Sequence, residues 1–152
     1  MKRSPLFIGV GNRFRRDDGV GLWLAREIKR RGPRTAEVLE TDGEGAGLME
    51  AWKDRGEVFL FDAVRSGAPA GTLHRVEVSK QPLARNFFRG STHDFGVAEA
   101  VELSRSLRGL PGRLLIFGVE GKDFGEGEGL SPPVETAARN LLSELLFRGE
   151  KT

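Results

Sequence analysis

Apolar positions along this chain fall into short continuous runs and longer stretches of helical period. Pro5 to Val10, Glu57 to Asp62 and Arg113 to Val119 are near-continuous apolar runs, the pattern of strands covered on both faces. Ala36 to Glu40 reads as a further short strand. Thr72 to Val78 sets Leu73, Arg75 and Glu77 against Thr72, His74, Val76 and Val78, which predicts a one-sided or edge strand. Asp18 to Arg31 places Val20, Leu24 and Ile28 on one helical face and stops at Gly32-Pro33. Gly45 to Asp54 is a weaker helix, and Phe95 to Leu107 a helix with Val97, Ala100, Val101 and Ser104 inward. Ser131 as N-cap, followed by Pro132, opens a last helix to about Arg148 with Val134, Ala138, Leu141 and Leu145 inward.

The order β-α-β-α-β-β-α-β-α implies the α/β class: a three-layer α/β/α sandwich with a mostly parallel five-stranded sheet. Helical crossovers make the first three strands parallel. Only the Gly- and Pro-rich stretch Val64 to Gly71 joins the third strand to the fourth, so the fourth is expected to be antiparallel. Without repeats or long linkers, residues 1–152 are expected to form a single domain. The parallel strands then carry Asp18 and Asp62 to one edge of the sheet. The fourth strand ends on the opposite edge, so Ser79 to Thr92 must climb back before the next helix. Its 14 residues reach ~45 Å when extended, about twice a strand's ~23 Å. His93 is therefore expected on the same edge as the two aspartates.

Composition narrows the chemistry. The chain has no cysteine, which removes disulfides, thiolate metal sites and cysteine nucleophiles. A net charge of +2 makes no demand for a nucleic-acid partner. No apolar run has the length of a membrane span, and no signal-peptide pattern opens the chain, so the cytoplasm is the expected compartment.

The glycine-rich turn Gly9 to Gly21 follows the first strand, where α/β proteins place ligands. It holds Asp17 and Asp18 where a phosphate binder keeps backbone N–H groups free. Phe14 stands where a third dinucleotide-binding glycine belongs, and neither a P-loop nor a nucleophile elbow is present. Two carboxylates and an imidazole on one edge suit a borderline divalent ion with open positions. Each residue also has a plainer reading. Asp17 and Asp18 sit where helix caps sit, Asp17 above all; Asp62 sits where a turn begins; and His93 precedes a helix. His74 reads as an exposed edge residue, and Arg13, Arg15 and Arg16 as a solvated loop or a grip for an acidic partner.

Gly9-Val10-Gly11-Asn12 with Asp17-Asp18-Gly19-Val20-Gly21 resembles the N-terminal signature of the maturation proteases of NiFe hydrogenases. Asp62-Ala63 and Ser91-Thr92-His93-Asp94 are similar to that family's second and third motifs, and Gly118-Val119-Glu120 and Gly129-Leu130-Ser131 to weaker C-terminal elements. The resemblance implies an aspartyl-type endopeptidase that removes a C-terminal extension from a hydrogenase large-subunit precursor after nickel insertion. It implies Asp18, Asp62 and His93 as the residues meeting nickel that the substrate presents, with Asp42 assisting. It implies no permanent cofactor and no nucleic-acid or membrane partner, and a monomer is expected. Two departures stand out. Gly43-Glu44-Gly45 replaces the family's Gly-Gly-Thr, and Gly121 opens a loose acidic loop to Gly129 where the family often has proline.

Two other functions fit parts of the chain. A peptidyl-tRNA hydrolase-like esterase also carries Gly-x-Gly-Asn after a strand, but its usual proline is Arg13 here. A non-catalytic domain that recognises a nickel-loaded partner would need the same residues without the chemistry.

Overall fold

The computed structural model describes residues 4–83, 87–88 and 94–150, without the side chains of 148–150. Strands β1 (Leu6–Val10), β2 (Glu37–Thr41), β3 (Glu57–Val64), β4 (Leu73–Glu77) and β5 (Arg113–Glu120) form one sheet in the order β2-β1-β3-β5-β4. Every pairing is parallel except β4 against β5, as the helix-free connection from β3 to β4 requires. The edge position expected of β4 holds, and β2 forms the other edge. β3 runs two residues past Asp62, because Ala63 and Val64 continue its buried pairing with Val119 and Glu120.

Among the described residues, four helices cover the two faces: α1 (Val20–Arg31), α2 (Gly45–Trp52), α3 (Val97–Ser106) and α4 (Pro132–Glu150). The alternation of β3 separates two cores. Val58 and Leu60 join Ile8, Leu114 and Ile116 beneath Leu48, Trp52, Val97 and Val101 of α2 and α3. Phe59 and Phe61 join Phe117 and Val119 beneath Val20, Leu24, Val134 and Leu141 of α1 and α4. On that second face Phe7, Phe59, Phe61 and Phe117 stack in a ladder with ring centroids 5.1–6.3 Å apart, worth about 1 kcal/mol per good pair beyond burial. On the first face the Trp52 indole donates to the buried Ser104 hydroxyl at 3.0 Å, tying α2 to α3. Among the described residues no helix is long and apolar enough to cross a membrane.

The helix expected from Asp18 starts later. Arg16–Gly19 form a 3-10 turn, and α1 begins at Val20 with no side-chain cap. The tight turn follows from packing. A Cβ on Gly9 would strike the Gly21 carbonyl, and one on Gly21 would strike the carbonyls of Val10 and Phe61. These two glycines let α1 lie directly on β1 and β3 and hold Asp18 over the end of the sheet.

Candidate active site

The carboxyl ends of β1 and β3 bring Asp18 and Asp62 together. Asp62 is 8% exposed, and burial pushes its carboxyl well above the ordinary aspartate range. The neighbouring charge of Asp18 pushes the same way, and one N–H from Ala63 at 2.8 Å opposes both. Asp18 is half-buried and accepts the Asn12 N–H at 2.9 Å. Burial raises its carboxyl too, opposed by that N–H and by the guanidiniums of Arg15 and Arg65. The site is thus a crowded carboxylate pair on an edge rimmed by arginine.

Asp18 and Asp42 line one open cavity of about 440 Å³, with Arg13, Phe14, Arg15 and Arg26. Asp42 is exposed and accepts the Glu44 N–H at 3.2 Å. Glu44 itself caps α2 by accepting the N–H groups of Ala46 and Gly47, both at 2.9 Å. That is the local role of the residue that departs from Gly-Gly-Thr. The approach to α3 reaches the same edge, where the Phe95 carbonyl accepts the Gly45 N–H at 2.8 Å. His93 lies outside the described residues. Among the described residues no three metal-binding side chains are grouped.

Two residue readings are overturned. Asp17 is no helix cap. It is fully buried and accepts the N–H groups of Lys122, Asp123 and Ser131 and the Ser131 hydroxyl, at 2.7–2.9 Å. Ser131 correspondingly directs its hydroxyl at Asp17, while its carbonyl accepts from Val134 and Glu135 in α4. His74 sits on the edge strand β4 as expected but is half-buried rather than exposed. Its Nε2 lies 3.0 Å from Glu120 Oε1, and its ring meets Phe87 edge-on.

The loop after Gly121 is not loose, and the arginine cluster is what fastens it. Arg15 donates twice to the Phe124 carbonyl, at 3.1 and 3.2 Å. Arg16 pairs with Asp123 at 3.5 Å, and its N–H reaches the Gly127 carbonyl at 2.9 Å.

Two further residues stand at this edge without having been expected there. Glu120 is 2% exposed and accepts from Ser66 N–H (2.8 Å), the Ser66 hydroxyl (2.6 Å) and Gly67 N–H (3.1 Å). Burial pushes its carboxyl up, but these bonds and His74 outweigh it and hold the group below its ordinary range. Arg65 lies between the buried Val64 and this anchor, its guanidinium 4.4 Å from the centroid of the Phe124 ring. The legible signal was a glutamate closing an apolar strand, where a buried charge demands partners.

The fold is a mixed α/β/α sandwich that carries the buried Asp62 and the half-buried Asp18 at the carboxyl edge of its sheet. A family model described as hydrogenase maturation protease matches residues 22–147, a span that includes Asp42, Asp62 and His93 and begins after Asp18. The chain is 31% identical to the hydrogenase expression/formation protein HupD of Thiocapsa roseopersicina, covering 93% of this chain and 70% of that one. It is 27% identical to the hydrogenase 2 maturation protease of Escherichia coli, over 93% of this chain and 87% of the relative. The solved hydrogenase maturating endopeptidase HybD from E. coli superposes with a TM-score of 0.79 at 22% identity, covering 97% and 93% of the two chains, and so shares the fold. This chain belongs to the hydrogenase maturation protease family. It is a peptide-bond hydrolase of hydrogenase maturation, which decides against the esterase and the non-catalytic domain.

Proposed function

We propose that this enzyme removes the C-terminal extension of a NiFe-hydrogenase large-subunit precursor once nickel has been inserted, with Asp18, Asp62 and His93 meeting that nickel. The observation that carries the reading is the buried Asp62 beside Asp18. Two carboxylates held together at an open edge repel one another, and a cation delivered by the substrate relieves that repulsion. The enzyme then needs no metal of its own, and a nickel-free precursor lacks the ion that completes the site. Water adds to the scissile carbonyl, and a carboxylate of the pair takes its proton. Asp42, on the same cavity, assists at the substrate side.

The test is mass spectrometry of a cognate precursor incubated with the enzyme. Loss of a C-terminal peptide from the nickel-loaded form, and from that form alone, is expected. Replacing Asp18 with Asn is expected to abolish the loss while the precursor still binds. Trimming of neither form by the wild-type enzyme defeats the proposal, and wild-type trimming by the variant removes Asp18 from the chemistry.

A further inference from the structure

Hydrolysis of a peptide bond makes a transient demand that the carboxylate pair cannot meet. As water's oxygen bonds to the carbonyl carbon, the carbonyl π pair moves onto its oxygen. The C–N bond then breaks, and the proton taken from water ends on the leaving amine, giving a new carboxylate terminus and a free peptide. The negative charge on the former carbonyl oxygen needs a donor held in place beforehand.

Arg15 lines the Asp18 cavity, Arg15 and Arg65 both meet Phe124, and the charges of both guanidiniums act on Asp18. Arg15 is engaged through two of its nitrogens by the Phe124 carbonyl. Among the described residues Arg65 has no carboxylate within 4.0 Å. Its guanidinium rests on the Phe124 ring, and a stacked guanidinium keeps its N–H edge available for a bidentate acceptor.

The backbone around Arg65 is fixed on both sides. Val64 pairs with Glu120 across the sheet and its carbonyl accepts the Gly121 N–H at 3.0 Å. Ser66 and Gly67 are held by the Glu120 carboxylate. The platform is fixed as well. Asp17 accepts from Lys122 and Asp123, and the Phe124 ring lies so close over Gly121 that a Cβ there would strike it. An exposed arginine carried on so many anchors, three residues after Asp62, is a prepared donor rather than a solvated chain.

We infer that Arg65 is a catalytic residue that donates to the scissile carbonyl oxygen as its negative charge develops, with Phe124 and Glu120 as the residues that position it. This rests on the trimming reading above. Docking of a protein substrate over the rim excludes water, and there a guanidinium is worth far more than in solvent.

The experiment uses the full chain and the nickel-loaded precursor, with steady-state kinetics by mass spectrometry. Arg65→Ala is expected to lower kcat about 100-fold and leave KM within about threefold. Arg65→Lys is expected to restore only part of kcat, because an ammonium lacks the fork. Millimolar guanidinium is expected to rescue Arg65→Ala, a response that a purely structural role would not give. Phe124→Leu, which keeps the apolar packing but not the ring, is expected to lower kcat without rescue. An unchanged kcat in Arg65→Ala, a change in KM alone, or a lost kcat that guanidinium does not restore overturns the inference. If the wild-type enzyme trims while Arg65→Ala keeps its kcat, only this inference falls. If the wild-type enzyme trims nothing, both fall.

Discussion

The Asp17 carboxylate accepts both the N–H and the hydroxyl of Ser131, at 2.8 and 2.7 Å, joining groups 114 residues apart in the chain. The same carboxylate takes the N–H groups of Lys122 and Asp123. One buried side chain thus binds the turn that carries Asp18 to the start of α4 and to the loop that carries Phe124. Of the two adjacent aspartates, Asp17 fixes the frame and Asp18 faces the cavity.

Removing that frame is costly. Asp17→Ala leaves three N–H groups and a hydroxyl without an acceptor, so a loss on the order of 3–5 kcal/mol is expected, and about 1–2 kcal/mol for Ser131→Ala. Urea unfolding checks this as a shift in midpoint at constant slope. The pH dependence has a definite sign. Burial raises the Asp17 carboxyl, but its hydrogen bonds outweigh that and hold it below its ordinary value in the folded state. Its contribution is therefore complete above about pH 5, beyond the ordinary aspartate value near 3.9, and is lost as pH falls through the depressed folded value. Asp17→Ala should flatten that acid limb. A variant within about 0.5 kcal/mol of wild type would show that the tie carries no stability.

Gly11 is the second control on Asp18. Its φ of +148° is strained for any residue with a side chain, and a Cβ there would strike the Asp18 carbonyl oxygen. Gly11→Ala is expected to push Asp18 away from Asp62 and to lower the trimming rate about 100-fold, the scale on which small misplacements act. Stability should fall by about 1–2 kcal/mol. Retention of wild-type kcat in a folded variant would mean that the position of Asp18 is not critical.

The strands and the edge they share were readable because their signals are local: apolar runs, helical spacing and turn residues. The parallel register that carries Asp18 and Asp62 to one edge follows from helix-bearing connections alone. Asp17 was misread because its partners at 122, 123 and 131 are distant in sequence, while its local setting imitates a cap. His74 was misread for a related reason. The alternation of β4 marks an edge strand correctly, but its partner Glu120 lies 46 residues on. The Gly-rich loop looked loose because, apart from the Asp123 carboxylate that accepts the Gly125 N–H, its side-chain restraints come from the first turn, from Asp17, Arg15 and Arg16.

Phe14 is 54% exposed on the rim of the Asp18 cavity, with the Arg13 guanidinium 4.7 Å from its ring centroid. An aromatic held by a cation beside a cavity is a contact point for a protein substrate. Phe14→Ala should raise KM about tenfold, equivalent to about 1.4 kcal/mol of binding, with kcat unchanged because no reacting atom is touched. Kinetics on the nickel-loaded precursor give the split. A fall in kcat at constant KM would place Phe14 in the chemistry instead of the docking surface.

Asp62 should show the opposite exchange between stability and activity. Its carboxyl is raised in the folded state, by burial first and by Asp18 second, so the folded chain holds its proton more tightly than the unfolded chain does. For an acid this reverses the usual sign. The penalty is absent below the ordinary value near 3.9, grows as pH rises through it, and is complete above the raised folded value. Asp62→Asn keeps an oxygen that can accept the Ala63 N–H and removes the buried charge. It should therefore be more stable than wild type by about 1 kcal/mol or more at pH 8 and equal to it near pH 3.5, while trimming no precursor. Urea unfolding at the two pH values, beside the trimming assay, reads both effects. An equal gain at both pH values would locate the effect in packing, and destabilisation at pH 8 would mean that the buried charge is already compensated in the free enzyme.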